Sequence, residues 1–328
     1  MIGPTPILCQ RGRQGRVGGL STKGVPLVQL KTPRVGSNTL IGMAFMLGNA
    51  LGATGVNAIV RGLSSDLHPF EMAFFRCVFG LIVLAPLIFR HGIEPFKTQR
   101  LGLHALRGVL QGAVLLMFFL ALSMIPMATV QALFFTSPLF ATLLALVVLG
   151  ETIRARRITA LVVGFGGVLV VLRPGFGALE PGALLMLAAA ATWGSAIIVI
   201  KILSRTESSL TATLYPTLFV TPIALVAALP YWRWPTVDEL GWMALLGTFA
   251  TLSHLSLAQA FKEADVTAIM PVDFTKLIWA ALAGYLLFAE VPGLSIWLGG
   301  TMIFSAVTYI AIRERSLKAD PTLPREMT

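Results

Sequence analysis

"MATVQALFFTSPLFATLLALVVLGE" (127–151) and "VTAIMPVDFTKLIWAALAGYLLFAE" (266–290) decide how the chain is organised. Shifted by 139 positions, the first lays Phe135 on Phe274, Thr136 on Thr275 and Glu151 on Glu290. Each is apolar over roughly 20 residues, enough for a helix to cross a bilayer. Further out, "GMAFMLGNALGATGVNAIVRGLS" (42–64) falls on "GALLMLAAAATWGSAIIVIKILS" (182–204) at an offset of 140. Gly42, Met46, Leu47, Ala50, Leu63 and Ser64 match Gly182, Met186, Leu187, Ala190, Leu203 and Ser204, and Arg61 stands opposite Lys201. Ala121 and Ala260 keep the offset of 139. Apolar helices resemble one another by chance, but an offset constant to one residue across most of a chain marks an internal repeat.

The rest of the chain fits that frame. Of its 328 residues 56% are hydrophobic and 12% charged, about half the charge of a soluble domain. Ten spans are expected, at 39–60, 69–90, 103–124, 128–149, 157–172, 181–203, 209–230, 239–261, 266–288 and 294–312. The fold class is therefore an all-α polytopic membrane protein of ten transmembrane helices. Five spans per copy is an odd number, so the second copy is inserted upside down relative to the first. Inverted repeats are a recurrent plan of secondary transporters, whose substrate sites lie near midplane between the copies.

Charge sets the expected orientation. With both termini cytoplasmic, 20 of the 25 Lys and Arg lie on that side. Arg61, Arg173 and Arg233 face the other side, and Arg76 and Lys276 lie within spans. The net charge of +10 is then a property of cytoplasmic loops, and no basic patch with interleaved aromatics points to nucleic acid. Residues 1–38 are basic, free of acid and rich in Gly and Pro, and read as a disordered tail or the product of a misassigned start codon. Residues 314–328 read as a cytoplasmic C-terminal tail. Cys9 and Cys77 supply neither a disulfide framework nor a metal motif.

Several stretches resemble a known family. "HPFEMAFFR" (68–76), "LRG" (106–108), "SPLFATLLALVVLGE" (137–151) and "RRITALVVGFGGVLVVLRPG" (156–175) are similar to the EamA branch of the drug/metabolite transporter superfamily. The resemblance runs from residue 39 to about 313. It implies two EamA repeats (39–173 and 181–313), termini inside, and an inner-membrane carrier of small metabolites. Span two looks most like S-adenosylmethionine uptake carriers, while riboflavin carriers and amino-acid exporters share the plan. The second copy departs from the pattern, with "VDFTKLIWA" where the first has "FFTSPLFAT".

Polar residues inside spans cost roughly 2.5–3.5 kcal/mol each for Asp, Lys or Arg on insertion scales. Asp273 and Lys276 share a face at i,i+3. They read either as a self-neutralising ion pair or as a substrate or proton site, and Pro271 just before them removes a backbone hydrogen bond. Arg76 is a candidate for an anionic group, or else ties helices together or snorkels to an interface. His254 reads as a helix–helix partner or a proton carrier. Trp193, Tyr215 and Trp279 are candidates for stacking on a flat ring, or for plain packing. Gly48 and Gly52 form a GxxxG read as close helix packing rather than a dimer face. Glu151 and Glu290 read as structural interface residues, and Pro86, Pro138, Pro216 and Pro222 as kinks. The expected cavity is lined by spans one, two, three, six, seven and eight, with four and nine close by.

No P-loop occurs, so facilitated diffusion or ion coupling is expected rather than ATP hydrolysis in cis. No cofactor or metal is expected. Expected partners are a small-molecule substrate and the lipid bilayer, with a homodimer left open. A membrane-embedded enzyme or a regulatory subunit is the alternative reading.

Overall fold

The computed structural model describes residues 39–92, 96, 98–149, 155–173, 180–203, 209–264 and 266–319. They form α1 (Thr39–Leu63), α2 (Pro69–His91), α3 (Leu101–Met124), α4 (Met127–Phe134), α5 (Ser137–Leu149) and α6 (Ala155–Leu172). The second copy supplies α7 (Pro181–Leu203), α8 (Ser209–Ala228), α9 (Val237–Glu263), α10 (Val266–Asp273), α11 (Thr275–Phe288) and α12 (Leu294–Ala319). Among the described residues there is no strand. Among those residues eight apolar helical stretches are long enough to cross a membrane, and two shorter ones, Ile158–Leu172 and Leu294–Ile310, occupy the fifth and tenth expected positions. The tail 1–38, residues 320–328 and the Glu151 position lie outside the described residues.

Glycines lock the two copies together, and they do so twice. A Cβ on Gly42 would overlap Ala264 and stand 3.5 Å from the Ala260 carbonyl. Its counterpart Gly182 meets Ile125 at 2.8 Å and the Ala121 carbonyl at 3.6 Å. Likewise, a Cβ on Gly108 would overlap that of Phe219, and one on Gly247 would stand 2.6 Å from that of Phe79. Every partner is displaced by the same 139 or 140 positions, so the sequence offset reappears as duplicated packing. Helix pairs obey the same exchange: α1 packs on α9 as α7 does on α3, and α2 on α9 as α8 does on α3. Arg61 near the end of α1 bonds the last turn of α3, and α7 begins against that same turn. The two copies therefore start at opposite ends of the bundle, which makes the repeat inverted.

The sequence predicts spans four and nine as continuous helices; the structure interrupts both at matched positions. α4 gives way to α5 at Phe135–Thr136, and α10 to α11 at Phe274. The chemistry of the two interruptions is the same. Thr136 Oγ1 donates to the Leu133 carbonyl at 2.6 Å, and Thr275 Oγ1 to the Val272 carbonyl at 2.7 Å. These hydroxyls back-bond the chain and loosen the i→i−4 ladder. Pro138 follows the first break, in the opening turn of α5 where its missing N–H costs little. Pro271 precedes the second, inside α10. The two breaks meet, with the Phe135 and Phe274 rings stacked at 4.1 Å and Phe304 3.9 Å beyond.

Gly48 and Gly52 face Ser256 and Ser253 of α9. The GxxxG thus serves close helix packing, and Asn49 beside it donates to the Ser253 carbonyl and hydroxyl at 2.9 and 2.8 Å. At the start of α2, His68 accepts from the Phe70 N–H at 3.3 Å and stacks on Tyr231 at 3.7 Å. Burial holds the His68 imidazole below its ordinary pKa despite the pull of Glu71, which keeps the accepting nitrogen free of a proton.

One consequence is a test of the duplicated packing. Gly247→Val is expected to destabilise the fold by about 1–3 kcal/mol, because the added methyls collide with Phe79. A lower folded yield on size exclusion is the expected result. An unchanged yield and unfolding temperature would show that α2 and α9 do not need this approach.

Candidate functional site

Four helices bring polar side chains together at membrane depth. His254 lies 17 residues into α9, about 25 Å along a helix of 1.5 Å rise per residue. Although it is deep in the span and surrounded by protein, the residue keeps accessible surface. The Arg76 Nη2 of α2 approaches its Nε2 to 3.5 Å. Arg76 thus turns toward α9. The charges of Arg76, Lys276 and Arg107 all act on the His254 ring. Lys276, in the first turn of α11, is in ion-pair contact with Asp273, the last residue of α10. The pair therefore bridges the interruption at Phe274, next to the point where the two broken helices cross.

α3 adds residues along one face. Arg107 and Gln111 are one turn apart, and Phe118 returns to nearly the same angle three turns on. Phe118 makes an edge contact with Phe134 at 5.2 Å, and Phe134 faces Trp193 of α7 at 6.3 Å. Gly194 allows this placement, since a Cβ there would press on the backbone of α5, 2.8 Å from the Ala141 nitrogen. Trp193 therefore belongs to an aromatic row across α3, α4 and α7.

The other predicted residues divide. Trp279, one turn beyond Lys276, donates from its indole to Thr275 Oγ1 at 3.2 Å. Tyr215 is tied to the start of α3: its hydroxyl donates to the Phe96 carbonyl at 2.8 Å and its ring stacks on His104 at 4.6 Å. Glu71, five residues before Arg76, accepts from the Arg233 backbone N–H at 2.8 Å.

A second constellation was not singled out as functional in the sequence. Glu290 Oε1 accepts from Arg61 Nε at 2.9 Å, and its Oε2 from the Met127 N–H at 2.9 Å. Arg61 Nη1 also donates to the Leu122 and Ser123 carbonyls at 3.2 and 2.9 Å. One carboxylate thus joins α1 to the N-terminus of α4, and its partner arginine holds the C-terminus of α3. The turn that aims Glu290 uses Ala289 at φ 54°, with the Glu290 N–H returning to the Gly284 carbonyl at 3.0 Å. The signal was present in the sequence: Arg61 matches Lys201 and Glu290 matches Glu151, so a basic and an acidic site repeat together. Arg107 was missed for a different reason, having been counted with the loop cations. Among the described residues, no group of three or more His, Cys, Asp or Glu is placed to hold a metal ion.

Two inverted bundles with interrupted helices crossing at their centre, and a polar cluster at that depth, define the architecture of a secondary carrier. The EamA-like transporter family model matches residues 40–173 and 180–312, and the chain belongs to that family. The S-adenosylmethionine uptake transporter of Rickettsia felis is 32% identical over 276 residues, covering 84% of this chain and 94% of its own. A riboflavin transporter of Vibrio cholerae is 31% identical, covering 83% of this chain and 93% of its own. The pseudopaline exporter of Pseudomonas aeruginosa is 27% identical, with 76% and 89% covered. A crystal structure of a protein 17% identical aligns with a TM-score of 0.57, covering 86% of this chain and 98% of that one, and bears on the fold alone.

Proposed function

We propose that this protein is a secondary carrier, not an enzyme, that moves a small organic metabolite across a bacterial inner membrane by alternating access. In this reading both termini are cytoplasmic, and the repeats at 39–173 and 181–313 lie between a basic tail and a short C-terminal tail. The carrying observation is the pair of matched helix interruptions stacked at Phe135 and Phe274. Two inverted units joined at such a crossing can rock about it, and helix ends freed from the ladder supply polar groups at midplane. The Arg61–Glu290–Met127 junction then serves as the lock that closes one end. Asp273, Lys276, Arg76 and His254 form the substrate or coupling site.

The relatives make S-adenosylmethionine the first substrate to test and riboflavin the second. A homodimer would need a face other than Gly48 and Gly52, which α9 covers. The test is counterflow in proteoliposomes without ATP. Saturable exchange of radiolabelled S-adenosylmethionine or riboflavin, recovered chemically unchanged, is expected. Chemical turnover without exchange of either compound would sink the carrier reading.

A further inference from the structure

The cluster around His254 carries more positive charge than its own acid balances. Arg76 of α2 stands 3.5 Å from the imidazole, and Lys276 of α11 and Arg107 of α3 are its neighbouring cations. Asp273 is held by Lys276. The Nε atoms of Arg76 and Arg107 are buried and have no hydrogen-bond partner, and neither does the Gln111 Oε1 one turn beyond Arg107. Among the described residues no carboxylate is paired with either guanidinium, which is costly at this depth. The guanidinium fork matches a carboxylate in a planar, bidentate fashion. Gln111 Oε1 and Asp273 are acceptors suited to an ammonium group. Farther along the same face of α3, about 16 Å from Arg107 at the backbone, begins the row Phe118–Phe134–Trp193.

Resting on the reading of this cluster as the substrate site, we propose that Arg76 and Arg107 bind the carboxylate of an amino-acid-like head group. Gln111 and Asp273 take its ammonium, and the aromatic row takes a flat ring at the far end of the same molecule. Substrates without a carboxylate lose the contact that neutralises the two arginines.

Thermal-shift titration of the purified full chain with matched ligand pairs tests this. The pairs are S-adenosylmethionine with its decarboxylated analogue, phenylalanine with phenethylamine, and flavin mononucleotide with riboflavin as the phosphate arm. In the first two pairs the carboxylate-bearing member is expected to act at about tenfold lower concentration or better. Arg76→Gln is expected to erase that difference and Arg76→Lys to keep part of it. Equal action by both members, no response to any carboxylate-bearing ligand, or a response confined to flavin mononucleotide would overturn the proposal. The wild-type comparison stands even where a variant fails to fold. Carboxylate discrimination without flux in proteoliposomes would sink the carrier reading and leave the subsite, whereas flux without discrimination would do the reverse.

Discussion

Glu290→Gln is expected to cut counterflow by at least about tenfold while leaving the folded yield unchanged. Glutamine keeps an oxygen for the Met127 N–H, so the α4 terminus stays capped. What it loses is the charge that Arg61 faces at 2.9 Å. That arginine retains the carbonyls of Leu122 and Ser123, so it is not stranded. Removing one partner of a buried pair costs 3–5 kcal/mol, and this pair is partly exposed, so about 2 kcal/mol is the appropriate scale. Applied to one of two conformations, that shifts their ratio by about 30-fold, enough to hold a carrier open at this end. The double variant Arg61→Gln, Glu290→Gln is expected to be less impaired than the two single losses combined, since the two side chains act on each other. Strictly additive losses would remove the pair from the gating account.

Asp273→Asn is expected to lower flux by a similar factor with membrane insertion intact. The substitution leaves Lys276 beside Arg76 and Arg107 with no acid in the cluster. Like charges at membrane depth repel, which drives Lys276 away from the site. The neutral double variant Asp273→Asn, Lys276→Met separates the two readings of the pair. If Asp273 and Lys276 contact the substrate or couple an ion, flux stays low after charge balance is restored. Recovery of wild-type flux in the double variant would make the pair structural.

Much of this fold is written in the repeat. Phe135 with Phe274 and Thr136 with Thr275 are matched in the sequence, and they become the two interruptions. The interruptions themselves were not legible, because a threonine that bonds back to its own helix looks like any helical threonine. Gly42 and Gly182 were matched too, but not their partners, since close approach depends on which helices meet across the bundle. Asp273, Lys276, Arg76 and His254 were singled out because an ionisable side chain inside an apolar span is costly wherever it lies. Arg107 escaped that test: it sits a few residues inside α3, where a loop residue and a cavity residue have the same local sequence. Tyr215 was singled out by its aromatic character, and its stacking on His104 of α3 is a contact between distant segments that no local pattern shows.

The central claim is that the bundle end held by Arg61 and Glu290 opens and closes during transport. Spin labels at Met124 and Val291, both exposed and on either side of that junction, read it directly after replacement of Cys9 and Cys77. Pulsed electron–electron distance measurement on the reconstituted protein is expected to give a short separation for the resting carrier. A second, longer population should appear with saturating S-adenosylmethionine and dominate in Glu290→Gln. A single separation that neither ligand nor substitution changes would contradict the account.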